Sequence, residues 1–168
     1  MEFFDVLNKR YSCRSFSPDQ VEKIKLEAIL ESARIAPTAG NRQPVRIKVL
    51  DNEQLLSKAE ETTRCRYGSQ LMLLVCYDTS LHWVHPASGQ DSGFTDSSII
   101  GSYMMLTAES LGLNTLWVLA FDAAKAKEAF ELGDNIVPAF YIVVGYPGPG
   151  AAPNQRHSER ISMEQLLI

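Results

Sequence analysis

Arg10, Ser12 and Arg14 occupy alternate positions in Arg10-Tyr11-Ser12-Cys13-Arg14-Ser15-Phe16. In extended backbone, residues two apart share a face, so two guanidinium groups and a hydroxyl would point one way and Tyr11 and Cys13 the other. That face suits a phosphate, because each guanidinium presents a planar fork of N–H donors that matches the anion's oxygens with charge-assisted hydrogen bonds. The same residues also read as a solvated basic turn followed by an anchoring Phe16. A second cluster runs Ala36-Pro37-Thr38-Ala39-Gly40-Asn41-Arg42-Gln43-Pro44. Small residues after a helix end let backbone approach a planar ligand, while Asn41 and Gln43 offer donors and acceptors to ring N–H and C=O groups. Taken alone, this composition equally builds a turn.

Three other features invite chemistry less strongly. His82 and His85 could face one side of a helix, with Asp78 or Asp91 completing a metal site, but no dense ligand motif surrounds them and a polar loop, or one lining a ligand entrance, reads more simply. Cys13, Cys65 and Cys76 form no C-x-x-C pair and no spacing joins them to a histidine, so they read as inert thiols of a reduced, cytoplasmic protein. No P-loop motif is present.

The elements that would hold these groups alternate irregularly. Glu2 to Lys9 reads as a short helix with Phe3, Val6 and Leu7 on its apolar side. Ser17-Pro18-Asp19-Gln20 has the form of a capping box, with proline at the first helical position, and predicts a helix start. Val21, Ile24, Ala28, Ile29 and Ile35 supply its stripe, and Pro37 stops it. Val45 to Leu50 alternates as a strand with one wet face, a weaker helix covers Glu53 to Thr62, and Leu71 to Tyr77 is apolar throughout, as a central strand would be. A long loop over 78–94 precedes a helix from Asp96 to Leu111, with Gly112 as its left-handed cap. Asn114 to Ala120 is a short apolar segment, Asp122 caps a helix ending near Leu132, Val137 to Val144 is the last strand, and Ser162-Met163-Glu164-Gln165 is a second capping box. A dinucleotide-binding sheet would start with a strand and a Gly-rich loop, whereas this chain starts with helices, so the pattern reads as α+β.

Composition sets the outer bounds. The 168 residues suit one domain, 1–168, and 45 % hydrophobic content argues against disorder. With 16 Lys plus Arg against 20 Asp plus Glu, the formal charge of -4 gives no general attraction to nucleic acid or an anionic membrane. The N-terminus lacks the cationic and apolar blocks of a signal peptide, and the richest apolar run, 71–77, is too short to cross a bilayer, so a soluble protein is expected.

The order of these motifs resembles the nitroreductase family of FMN-dependent oxidoreductases. Arg-x-Ser-x-Arg-x-Phe at 10–16, Ala-Pro-Thr-x-x-Asn-x-Gln-Pro at 36–44, Asp96 opening a long helix, the run Leu106 to Trp117, Gly145-Tyr146-Pro147 and a basic residue near the C-terminus carry the resemblance over nearly the whole chain. It implies a three-layer α+β fold with a mainly antiparallel central sheet flanked by helices, and a homodimer with FMN at the subunit interface. By this resemblance Arg10 and Ser12 contact phosphate or ribityl oxygens, and Arg14 either helps or stabilises the fold. Pro37, Thr38 and Asn41 approach the isoalloxazine ring, Pro37 and Thr38 from the partner subunit. Thr115, Leu116 and Trp117 lie near the ring's rear edge through their backbone, although these residues equally read as core. Arg160 fits the late phosphate arginine, with Arg156 as the competing assignment. Val45 stands where an aromatic residue is common, and the late lysine has no clear counterpart.

The implied chemistry takes hydride from NADH or NADPH onto the flavin and passes electrons to a small acceptor such as a nitroaromatic or quinone, with no catalytic side chain required. Rivals are a flavin-binding or redox-sensing protein with little turnover, and a specialised dehalogenase or enoate reductase. A nucleic-acid module would use the same arginines, but the sequence shows no long basic run or aromatic ladder for one.

Overall fold

The computed structural model describes residues 2–168. Four strands, β1 (Val45–Leu50), β2 (Leu71–Asp78), β3 (Asn114–Val118) and β4 (Ile136–Gly145), form one sheet in the order β1-β2-β4-β3. Every neighbouring pair is antiparallel. Six α-helices accompany them among the described residues: α1 (Phe3–Lys9), α2 (Lys23–Ile35), α3 (Glu53–Glu60), α4 (Gly93–Ser110), α5 (Ala123–Ala129) and α6 (Met163–Leu166).

The unbroken apolar run of β2 follows from its place inside the sheet, with both faces covered. Met72, Leu74 and Cys76 enter one core with Leu56 and Ala59 of α3 and Ala126 of α5, whereas Leu71, Leu73 and Val75 enter the other with Ile29 of α2 and Ile100 and Met104 of α4. The alternation of Cβ direction along one strand thus makes three layers: α3 and α5, the sheet, then α2 and α4. Burial of Leu71 through Cys76 is essentially complete. This is the expected α+β, three-layer, antiparallel arrangement.

Local signals set several boundaries as expected. Asn52 and Asp122 accept backbone N–H groups at the starts of α3 and α5, from Leu55 and Lys125 respectively. Gly112 takes φ +77° just after α4, where its missing Cβ removes the steric cost. The terminal capping box also forms: Ser162 Oγ accepts from Gln165 N and Gln165 Oε1 accepts from Ser162 N.

The first capping box does not form. Ser17 Oγ instead pairs with Asp19, and α2 begins at Lys23 after an extended approach. The cause is long-range: Ser17 N donates to the Tyr146 carbonyl at 2.9 Å, and Phe16 bridges to Pro147, so the chain is held along the end of β4. The expected α2 stripe is also narrower, since Ile29 is buried whereas Ile24 and Ile35 are 75 % and 63 % exposed. The long helix starts earlier than expected, at Gly93, which puts Asp96 within its first turn. Among the described residues, no helix is long and apolar enough to cross a membrane.

Candidate functional site

The 10–16 segment meets the outer edge of β3 at Ser12 and Cys13 and passes on to the end of β4 at Ser15 and Phe16. Ser12 bridges Thr115 in parallel, and Cys13 N donates to the Thr115 carbonyl at 3.0 Å. Backbone pairing of this kind fixes which side chains face outward. Cys13 is fully buried with its thiol on the Ser15 carbonyl, and Phe16 is 6 % exposed, so the inward positions anchor the segment. Arg10, Ser12 and Arg14 line an open cleft of about 510 Å³ with Tyr11, Asn154, Arg156, His157 and Arg160.

Four arginines therefore line one cleft, and among the described residues none of them has a carboxylate within 4.0 Å; Arg14 Nη1 donates to the Ser12 carbonyl and Arg160 Nη1 to the Glu159 carbonyl. Arg156 and Arg160, the two competing assignments, both line it. Tyr11 lines it too, against the expected alternation. The C-terminal contribution is docked by a 3-10 turn, Gln155–Ser158, capped by Asn154. His157 Nε2 lies 3.3 Å from the Asn8 carbonyl, and its ring meets Tyr11 edge-on at 6.5 Å. Tyr11, Asn154 and His157 were not singled out from sequence as residues of this cleft.

The neighbourhood of this cleft holds two polar atoms without partners. Thr115 is 1 % exposed and its Oγ1 makes no hydrogen bond, and Glu109 Oε2 is likewise buried and unpaired. Burial pushes the Glu109 carboxyl above its ordinary range, while the charges of Arg10 and Lys9 draw it back. Burial likewise raises the Tyr11 hydroxyl, with further contributions from Cys13 and Glu109. Leu116 and Trp117 are core residues by their side chains: Leu116 is 4 % exposed, and Trp117 stacks on Phe140 at 3.8 Å between ring centroids.

The second cluster stands elsewhere on the chain. Thr38 lines a cleft of about 310 Å³ whose walls include Ala33, Ala36, Gln43, Val45 and Ile100, and this cleft shares no residue with the arginine cleft. Pro37 and Asn41 belong to the same turn without lining it. Gly40, Asn41 and Gln43 have φ of 58°, 52° and 52°, an unusual density of left-handed backbone for non-glycine residues. Thr38 organises it, accepting from Gln43 N at its hydroxyl (3.0 Å) and from Asn41 N at its carbonyl (2.9 Å).

His82 and His85 have structural partners. The His82 ring stacks on Tyr77, and its Nδ1 lies 3.2 Å from Asp91 Oδ1 without the geometry of a hydrogen bond; His85 Nδ1 accepts from the backbone of Ala87 and Ser88. Among the described residues no three metal-ligating side chains gather.

The profile of the Nitroreductase family matches residues 7–67 and 67–146, which takes in both clusters and the whole sheet. The chain belongs to the nitroreductase family. A solved nitroreductase family protein from Clostridium difficile 630 is 37 % identical and superposes with a TM-score of 0.94, covering 100 % of this chain and 98 % of that one. A curated relative from Thermus thermophilus, an NADH dehydrogenase, is 26 % identical over 192 residues, covering 95 % of this chain and 92 % of its own. The nitroreductase fold is also shared, at TM-score 0.85 and 21 % identity, with a solved FMN complex from Exiguobacterium sibiricum 255-15, covering 99 % of this chain and 96 % of that one.

Proposed function

We propose that this chain is an FMN-dependent oxidoreductase that works as a homodimer and passes electrons from NADH or NADPH to a small acceptor such as a nitroaromatic or a quinone. The observation that carries the reading is the arginine cleft: Arg10, Arg14, Arg156 and Arg160 line it with Ser12, and among the described residues none of the four forms an ion pair. Like charges on one cleft without paired carboxylates repel one another, a cost that a bound phosphate dianion would offset. Thr115, the residue bridged to Ser12, holds a buried hydroxyl with no partner. These donors fit FMN.

FMN, when bound, supplies the two-electron redox chemistry. The residues hold and orient it: the four arginines and Ser12 would take the phosphate, and Thr38 and Asn41 would meet the polar edge of the ring, with Pro37 beside it. The backbone of Thr115, Leu116 and Trp117 would back the ring, while Leu116 and Trp117 side chains serve the core. In the proposed dimer Pro37 and Thr38 would reach the ring from the partner subunit, a reading supported by the Thr38 cleft and the arginine cleft having no lining residue in common. The nicotinamide donor is supported by the Thermus relative's being an NADH dehydrogenase.

The test is the visible spectrum of the freshly purified protein, followed by release and mass identification of the flavin and reconstitution of apoprotein. FMN near one per subunit is expected. A colourless protein that also fails reconstitution with FMN refutes the reading. Anaerobic mixing with NADH or NADPH then separates turnover from storage: rapid bleaching supports an enzyme, and bound flavin that resists both donors overturns the oxidoreductase assignment.

A further inference from the structure

Asp96 is 1 % exposed, and among the described residues no lysine, arginine or histidine pairs with it. Its carboxylate instead accepts from Ala39 N at 2.8 Å on Oδ1 and from the Ser92 hydroxyl at 2.7 Å on Oδ2. A carboxylate buried in this way gains little net stability over an apolar residue, since its bonds mainly offset lost hydration. What such bonds do determine is geometry. The two partners belong to segments far apart in sequence: Ala39 sits in the turn after α2, and Ser92 ends the 79–92 loop.

Each segment needs an anchor. The turn holds left-handed φ at Gly40, Asn41 and Gln43, a strained shape that persists only where surrounding contacts over-determine it. Several of its own bonds are internal: Asn41 N to the Thr38 carbonyl, Gln43 N to Thr38 Oγ1, and Gln43 Nε2 to Asn41 Oδ1. These fix the turn's shape but not its position on the fold. On the loop side, Ser92 Oγ accepts from Trp83 N at 3.1 Å and Ser92 N donates to the Trp83 carbonyl at 2.9 Å. A continuous path therefore runs Ala39, Asp96, Ser92, Trp83. A longer contact, Arg42 Nη1 to the His82 carbonyl at 3.4 Å, joins the same two segments nearby.

We infer that Asp96 is a positioning residue: from the first turn of α4 it sets where the Thr38–Asn41 turn presents its polar groups and ties that turn to the 79–92 loop. The assignment of the turn to the flavin ring rests on the proposed function; the anchoring itself does not. Asp96 touches neither donor nor acceptor and acts only through Ala39 and Ser92.

The experiment compares Asp96→Ala, Asp96→Asn and Ser92→Ala in the full chain. Without flavin, hydrogen exchange of the Ala39 amide reads the anchor directly. Loss of one buried acceptor predicts acceleration on the order of tenfold in Asp96→Ala. Asp96→Asn restores slow exchange, because its amide oxygen accepts from Ala39 while its NH2 donates to Ser92. With flavin, Asp96→Ala weakens riboflavin and FMN by the same factor and changes the visible circular dichroism of the bound ring, since the displaced turn serves the ring and not the phosphate. Wild-type Ala39 exchange in a folded Asp96→Ala overturns the anchoring. Faster exchange with unchanged riboflavin affinity and dichroism overturns the positioning of ring contacts. Should Asp96→Ala not fold, Ser92→Ala decides: faster exchange at Trp83 with Ala39 still protected supports the path, and unchanged exchange at Trp83 overturns it. A wild-type protein that binds neither flavin refutes the proposed function and the ring-positioning role, while the exchange data still judge the anchor.

Discussion

Replacing Arg10 by alanine tests the arginine cleft at its most informative position. Arg10 is half-buried, whereas Arg14, Arg156 and Arg160 are exposed. A hydrogen bond to a charged group contributes about 1.5–3 kcal/mol, and partial exposure places Arg10 near the middle, about 2 kcal/mol. At 1.4 kcal/mol per decade, Arg10→Ala weakens FMN roughly 30-fold. The exposed arginines are screened by water and salt, so each alanine replacement costs only about two- to fivefold. Arg10→Lys falls between, keeping the charge and losing the fork. Titration by quenching of flavin fluorescence at low and high salt measures these constants, and riboflavin is the internal control because it lacks the phosphate. The loss must be confined to FMN and must shrink as salt rises. If Arg10→Ala weakens riboflavin as much as FMN, the residue supports the fold and not the phosphate; if it leaves FMN unchanged, the cleft is a solvated basic surface.

Three further outcomes follow from packing, charge and assembly. A Cβ added at Gly101 would lie 2.6 Å from Trp117 Cζ3 and 2.9 Å from Phe140 Cζ, so Gly101→Ala should overpack the stacked pair and cost about 1–3 kcal/mol, seen as a melting temperature lower by roughly 3–10 °C. Arg66, with only 10 % of its side chain exposed, makes two bonds to Glu53 and holds the Glu53 carboxyl below its ordinary range, first through those hydrogen bonds and then through charge. A lowered folded-state pKa contributes stability that is present above the ordinary carboxylate range and lost as pH falls through the folded value. Denaturant midpoints should therefore drop into acid, and less steeply in Arg66→Met; equal slopes refute the linkage. In the proposed dimer, FMN affinity should fall on dilution into the monomer range and FMN should in turn favour the dimer in sedimentation, with a monomer of undiminished affinity refuting the shared site.

The fold was legible where local chemistry and tertiary packing agree. Leu71 to Tyr77 reads as an inner strand because both its faces are buried, and Asp122 and Ser162 cap helices with bonds made within four residues. Ser17 misled because its pattern is the same as that of Ser162, yet Tyr146 holds its backbone from 129 positions away in the sequence. No window of local sequence contains that competitor. The site divides likewise. Period-two spacing exposed Arg10, Ser12 and Arg14, since a strand-like edge converts spacing into a face. Asp96 was visible only as a helix start, because its role depends on Ala39 and Ser92 reaching it through the fold.

The separation of the two clefts bears on why such a chain would be built as half a site. A ligand with a dianionic end and a planar apolar ring asks for opposite environments: unpaired cations open to water at one end, and a close-packed turn with aimed polar groups at the other. In the proposed site the first demand would be met along the edge of β3 and the second after α2, at clefts with no lining residue in common. It also leaves large apolar side chains in water on α1, α2 and α4, with Phe4 74 %, Ile24 75 % and Phe94 47 % exposed. Scattered exposed apolar residues are ordinary, but here they recur on the helices around the Thr38 turn as well as on α1, next to the arginine cleft. The proposed symmetric pairing of two chains would cover such surfaces and set one chain's turn against the other's cleft in a single operation, twice over. Burial of the helices and completion of the flavin site would then be one event, and the free energy of association and that of cofactor binding would be coupled by construction.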